Sequence, residues 1–238
     1  VMALAKRLGK KIYVYANGVG PIHKALNRRL TARVLNKADY ITLRDEDSAQ
    51  VLKDIGVSRP PIEVTADPVY GIDGISPEAA KALLREEGID SDKHFLGIAV
   101  RQWKKAPALA SKIAYVADRA YEELGIDILF TPLHYPEDKH FAESIKAKMV
   151  HRDHCHVLSG NYAVEEMEGI IGLCDLIIGM RLHALIYAVT SKTPAVGIVY
   201  DPKVKAQLDS LAIASDICAE GMDEKKLLNA VVAMYRRK

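Results

Sequence analysis

Arg181 and His183 stand two residues apart in GMRLHALIYA, and Asp201 and Lys203 two apart in GIVYDPK. A guanidinium offers carboxylate or phosphate a planar fork of donors, and an imidazole holds or releases a proton near neutral pH. On extended backbone Arg181 and His183 share a side, with Leu182 turned into the fold. Plainer roles stay open. Arg181 can pair with Asp175 or a helix C-terminus, His183 can cap or pack, Lys203 can be a surface lysine, and Asp201 can orient Lys203 or Arg181. Arg44 and Arg101 are of the same kind, each being the first long polar residue after a short apolar run, and Trp103 follows Arg101 closely enough to pack on a ring. Four basic groups at strand ends in a chain of nearly balanced charge suggest a small polyanionic substrate.

Weaker candidates lie elsewhere. Gly18 and Gly20 in NGVGP let the backbone turn tightly or approach a ligand, and Ser159-Gly160-Asn161 opens a helix whose free amides either hold a phosphate or are simply capped. His134 and Asp138 line another strand-end loop. His151, His154, Cys155 and His156 form the one tempting metal cluster, but HxxHCH lacks a distant partner pair, and His154 and His156 face away from Cys155 on an extended segment, so no metal site is expected. The sequence has no GxxxxGK[ST] loop, no GxSxG elbow and no GxGxxG between a strand and a helix.

The elements that must position these groups read as α/β. Residues 176–178 and 195–200 are apolar, β-branched runs joined by a helical stretch, which makes two neighbouring parallel strands with a crossover helix. In such sheets ligands sit outside the carboxyl ends of the strands, where Gly179, Arg181, Asp201 and Lys203 fall. Upstream, a buried strand over 11–15 precedes a helix from Pro21 with Leu26, Leu30, Val34 and Leu35 as its inner stripe. Strands over 40–43 and 62–65 follow, with a helix capped by Asp45 or Asp47 between them. Gly and Pro concentrate over 66–80, the best place for a hinge. Beyond it come a helix capped by Ser76, strands over 95–100, 126–130 and 156–158, and a terminal helix that either crosses back to the first lobe or stays on the second. The expected division is 1–70, 71–221 and 222–238.

With 238 residues, 49% of them hydrophobic, the chain can bury a substantial core; 33 basic against 31 acidic residues give no reason to expect nucleic acid as a partner. Three cysteines in apolar surroundings fit reduced thiols, and no leader or run of ~20 apolar residues is seen, so a soluble cytoplasmic protein is expected. The chain opens inside a helical pattern without an initiator methionine, like the continuation of a βαβ unit whose first strand is missing.

GMRLHALIYA followed by PAVGIVYDPK resembles the polysaccharide pyruvyl transferase family, and within it the bacterial enzymes that place a pyruvate ketal on a secondary cell-wall polymer. The resemblance extends to GVGP at 18–21, Arg44-Asp45 with Ser48 and Gly56, residues 65–68, Val100-Arg101 and Asp175. It implies two Rossmann-like lobes in a GT-B-like arrangement with the active site in the cleft, the first lobe incomplete because a GNxGD-type loop is missing. It implies transfer of pyruvyl from phosphoenolpyruvate to a lipid-linked or nucleotide-linked disaccharide containing N-acetylmannosamine, with no required cofactor. Contact with the inner face of the membrane would then come through the acceptor lipid. Carried onto this chain, it makes Arg181 a phosphoenolpyruvate-binding residue, His183 the general acid and Lys203 a further anion ligand, with Arg44 and Arg101 both open as the second arginine. A GT-B glycosyltransferase or sugar-nucleotide epimerase, and a non-catalytic sugar- or nucleotide-binding protein, are the alternatives.

Overall fold

The computed structural model describes residues 1–238 except 202, 203, 206, 207, 210, 214, 215 and 238. The chain folds as two compact units, Val1–Gly71 and Ile72–Lys238, and the boundary falls in the Gly- and Pro-rich stretch that the sequence marks as a hinge.

In the first unit three parallel strands, β1 (Tyr13–Asn17), β2 (Tyr40–Leu43) and β3 (Ile62–Val64), pair in the order β1-β2-β3. Helices α1 (Met2–Arg7), α2 (Ala25–Leu35) and α3 (Glu46–Asp54) accompany them. Asp45 caps α3 by accepting the Ser48 amide at 2.7 Å, the side-chain cap expected before a helix. Ile41, Leu43 and Leu52, each fully buried, centre the small core. Two expectations are corrected here. β1 lies two residues later than predicted and is largely uncovered, with Tyr13 65% and Tyr15 73% exposed. Helix α2 starts at Ala25, and it turns Ala32 and Leu35 to the core while Leu26 and Leu30 stay exposed. The helix carries apolar residues on two faces: Leu30 and Leu35, five positions apart, differ by roughly 140° around the axis. The sheet covers only one of those faces.

The second unit is a five-stranded parallel sheet, order β6-β5-β4-β7-β8. Its strands are β4 (Phe95–Ala99), β5 (Asp127–Phe130), β6 (Cys155–Val157), β7 (Leu176–Gly179) and β8 (Ala195–Gly197). All residues of β4, β5, β7 and β8 are buried, as a parallel sheet covered on both faces requires. The helices are α4 (Pro77–Glu86), α5 (Leu109–Leu124), α6 (Glu137–Lys146), α7 (Val164–Gly172), α8 (Leu182–Thr190) and α9 (Glu224–Arg237). Of the two placements open to the terminal helix, the structure takes the one within the second unit. Leu227, Leu228 and Val231 of α9 join the core that α5 also lines, and Lys112 of α5 pairs with Glu224 at 3.0 Å. Beyond β8 the chain pairs once more, Val199 bridging Cys218 in parallel. No helix among the described residues is long and apolar enough to cross a membrane.

The order of strands places a reversal between β4 and β7: from β4 the chain winds outward through β5 and β6, then returns to add β7 and β8 on the other side. Such a switch point opens a crevice at the carboxyl ends of the two central strands. Gly179 closes β7 tightly onto α8, since a Cβ there would stand 2.3 Å from Leu185 Cδ2.

At the amino edge the histidine cluster finds its partner. Asp127, only 4% exposed, accepts from Lys93 Nζ at 2.7 Å, and its oxygens lie 3.2 Å from His154 Nδ1 and 2.9 Å from His156 Nε2. Cys155 between them faces the core, and burial pushes its thiol up to about 12. Burial also raises the Asp127 carboxyl, but hydrogen bonds from Lys93, His156 and His154 outweigh it and leave the group below its ordinary value. A carboxyl depressed on folding contributes stability above its unfolded pKa of about 3.9 and loses it as pH falls through the folded value. Asp127→Asn should therefore lower the melting temperature at pH 7, and the gap from wild type should narrow at pH 3. An equal gap at both pH values would refute this account.

Candidate active site

At the carboxyl edge of the second sheet the register sets the two arginine positions level along the backbone. Ala99 of β4 pairs with Gly179 of β7, so Arg101 and Arg181 each stand two residues past a matched pair, on the two strands that flank the switch point. Arg181 is the N-cap of α8, with φ −90° and ψ 122°. Only it is extended: His183 is already in the first helical turn, its ring stacked 6.4 Å from that of Tyr187. The shared side expected from extended backbone is thus replaced by a strand-to-helix corner.

Arg181 does not pair with Asp175. That residue precedes β7, receives the Phe95 amide at 3.0 Å and lies 3.1 Å from His94 Nδ1; the four residues of β7 put roughly 13 Å between the two ends. Its partner is Asp138 in the first turn of α6. Arg181 Nε donates to Asp138 Oδ2 at 2.9 Å and Nη2 to Oδ1 at 2.5 Å. Asp138 is 2% exposed and also accepts the His134 amide at 3.0 Å. The fork is held from one side by a buried carboxylate, which fixes the guanidinium plane.

Arg101 is held differently. Its guanidinium carbon lies 5.8 Å from the Trp103 ring centre and 5.6 Å from that of Tyr200, and the two rings are 4.9 Å apart. Trp103 is tethered by its Nε1 donating to Glu220 at 3.4 Å. Among the described residues Arg101 has no carboxylate partner, and its Nε is buried without an acceptor. Stacking on aromatic faces offsets ~0.5–2 kcal/mol of desolvation but supplies no acceptor. The Thr131 hydroxyl, just past β5, is also buried without a partner. Lys203 lies outside the described residues. Asp201 opens the turn after β8, its carbonyl accepting the amides of Val204 and Lys205 at 3.0 and 3.3 Å.

The amides offered to a phosphate by Ser159 and Gly160 are taken. Both donate to Glu87 Oε1 at 2.9 Å, Ser159 Oγ donates to Oε2 at 2.6 Å, and the Tyr162 hydroxyl donates to Oε1 at 2.5 Å. The concavity does bind an anion, and the anion is a side chain 72 residues away. Burial raises the Glu87 carboxyl, but these four donors outweigh it and hold the group below its ordinary value.

In the first unit Arg44 donates from Nη1 to Asp67 at 2.7 Å, while its buried Nε has no hydrogen-bond acceptor. Gly18 makes room for it: a Cβ at Gly18 would stand 2.6 Å from Arg44 Nε. The next amide, of Val19, donates to the Ser48 hydroxyl at 2.7 Å. Gly20 is exposed in the same loop. The glycine loop therefore shapes the seat of Arg44.

Residues 1–202 match the model of the family described as polysaccharide pyruvyl transferase. The chain belongs to that family. The amylovoran biosynthesis protein AmsJ of Erwinia amylovora is 22% identical over 90% of this chain, which spans 56% of AmsJ. Two solved structures share the fold. The UDP-GlcNAc 2-epimerase of Methanocaldococcus jannaschii superposes over 98% of this chain and 66% of its own, with a TM-score of 0.68 at 16% identity. Anabaena Alr3699/HepE, solved with UDP and glucose, superposes over 96% and 63%, with a TM-score of 0.59 at 10% identity. The chain is thus an α/β protein of Rossmann-like units. For this family member, sequence reasoning singled out Arg101, Arg181 and His183 but left Asp138 and Tyr200 without roles. Asp138 showed itself only as an acid after a proline in a strand-end loop, and its pairing across 43 positions had no local signature.

Proposed function

We propose that the protein transfers pyruvyl from phosphoenolpyruvate to a cell-wall polysaccharide precursor containing N-acetylmannosamine, closing a 4,6-ketal and releasing phosphate. The family match supports the reaction class. The observation that carries the reading within the site is Arg101: a half-buried guanidinium with no carboxylate partner among the described residues, level with Arg181 across the switch point. Between them the two residues can accept a donor with a carboxylate at one end and a phosphate at the other, and Lys203 is assigned as a third cation. Arg44, already paired with Asp67, is assigned to the first unit's own loop.

In this mechanism His183 protonates the methylene carbon of phosphoenolpyruvate, leaving the central carbon electrophilic. One acceptor hydroxyl attacks that carbon and loses its proton; the second hydroxyl then displaces phosphate by cleavage of the carbon–oxygen bond, and the ketal closes. Phosphoenolpyruvate and a diol are consumed, a ketal and inorganic phosphate are formed, and no cofactor enters the balance. The arginines stabilise negative charge on the donor throughout, where preorganised donors have their largest effect.

The test is phosphate release from phosphoenolpyruvate in the presence of nucleotide-linked and lipid-linked N-acetylmannosamine disaccharides. UDP-N-acetylglucosamine alone is assayed alongside for turnover. Acceptor-dependent phosphate release is expected. Turnover of the nucleotide sugar with no phosphate release from phosphoenolpyruvate would place the protein with the epimerases and glycosyltransferases whose fold it shares.

A further inference from the structure

Between the loop after β4 and helix α6 lies a concavity of about 510 Å³, within the range of small-ligand sites. Gln102, Trp103 and Lys104 line it from the loop after β4, and Glu137, Phe141 and Ser144 line it from α6. Two of these residues are chain neighbours of the site itself: Gln102 follows Arg101, and Glu137 precedes Asp138, which holds Arg181. The Trp103 ring contributes both to the Arg101–Tyr200 cluster and to the concavity wall.

The chemistry of this wall differs from that of the edge. Lys104 and Glu137 bring one charge of each sign, and the His140 imidazole lines the same wall. Gln102 and Glu137 offer an amide and a carboxylate, which together donate and accept, and the Ser144 hydroxyl, which donates to the Phe141 carbonyl at 2.7 Å, adds an acceptor. Half-buried Trp103 supplies the aromatic surface, Phe141 being only 9% exposed. A ligand that suits both features has apolar C–H faces and a rim of hydroxyls. We propose that this concavity binds a pyranose ring of the acceptor, stacked on Trp103, so that hydroxyls of the same saccharide reach the space beside Arg101 and Arg181. The proposal rests on the pyruvyl-transfer reading for the word acceptor, and on the concavity alone for the pyranose.

Trp103 is the sole tryptophan among the 238 residues, so intrinsic fluorescence reports directly on this wall. The protein is titrated with the methyl glycosides of N-acetylmannosamine and N-acetylglucosamine and, separately, with phosphoenolpyruvate. A saturable fluorescence change is expected with at least one glycoside. Ser144→Phe, which fills the concavity from an exposed helical position, should weaken that response at least about tenfold and leave the phosphoenolpyruvate response in place. Gln102→Ala should weaken the glycoside response in the same sense, and unchanged circular dichroism in both variants shows that the fold is retained. No saturable glycoside response, or one that survives Ser144→Phe unaltered, overturns the proposal. Glycoside binding without phosphate release from phosphoenolpyruvate would leave the pyranose site standing and remove the pyruvyl-transfer reading; phosphate release with a glycoside response indifferent to Ser144→Phe would do the reverse.

Discussion

Arg181→Ala should lower kcat/KM for phosphoenolpyruvate by about 10³-fold, and His183→Ala should lower kcat by about 10²–10⁴-fold with little change in KM. The two effects differ in kind because the groups do different things in the proposed reaction. Arg181 is fixed in the ground state by its two hydrogen bonds to Asp138, so its charge is in place before the donor arrives and is lost from binding and rate together. His183 stands in the first turn of α8 and acts only as the proton moves, so its removal leaves the donor bound but unreactive. Arg181→Lys should recover little, since an ammonium keeps the charge but neither spans the Asp138 carboxylate nor offers a planar fork to the ligand. Steady-state kinetics of phosphate release separate these cases. A His183→Ala variant with full kcat would remove the general-acid assignment.

Asp138→Ala is the second large effect, and it is expected in stability as well as in turnover. The carboxylate is 2% exposed and balances an arginine side chain that is itself only 20% exposed. Removing one partner of a buried pair leaves the other charge uncompensated, at a cost of about 3–5 kcal/mol when burial is complete. Arg181 keeps some access to water, which sets the expectation lower, at about 2–4 kcal/mol. KM for phosphoenolpyruvate should rise as the guanidinium loses its fixed plane. The origin of the effect is tested by a double-mutant cycle: in an Arg181→Ala background, Asp138→Ala should cost much less stability. An unchanged cost would show that Asp138 matters through its His134 amide bond, not through Arg181.

The sequence was most informative where local pattern and topology coincide. Strands β4, β7 and β8 stand out in the sequence as apolar runs, and the long polar residues that follow such runs are those the sheet carries to its carboxyl edge; Arg101 and Arg181 could be named on that ground. The turn chemistry of Asp45 and Ser76 was equally local, each cap accepting an amide three residues on. Faces were harder. Leu26 and Leu30 are apolar and helically spaced, yet the three-stranded sheet meets the other side of α2, and no periodicity within a helix says which of two apolar sides a neighbour will cover. Pairings across long separations were hardest. Glu87 with Ser159, Asp127 with His154 and His156, and Arg181 with Asp138 all join residues that only the fold brings together. For that reason the sequence left the 159–160 amides open between a phosphate and a simple cap, and gave the histidines no partner.

Glu87 has a consequence for how the carboxyl edge divides its work. By filling the turn after β6, it places a carboxylate on one flank of the sheet, and Asp138 compensates Arg181 from the loop after β5. Arg101, by contrast, has no carboxylate partner among the described residues. In the proposed reaction a donor with a carboxylate and a phosphate would be drawn toward Arg101 and away from the carboxylate of Glu87. The wall lined by Gln102, Trp103 and Ser144 is left to a partner recognised by shape and hydroxyls, so on the proposed reading the two substrates need not compete for the same ground.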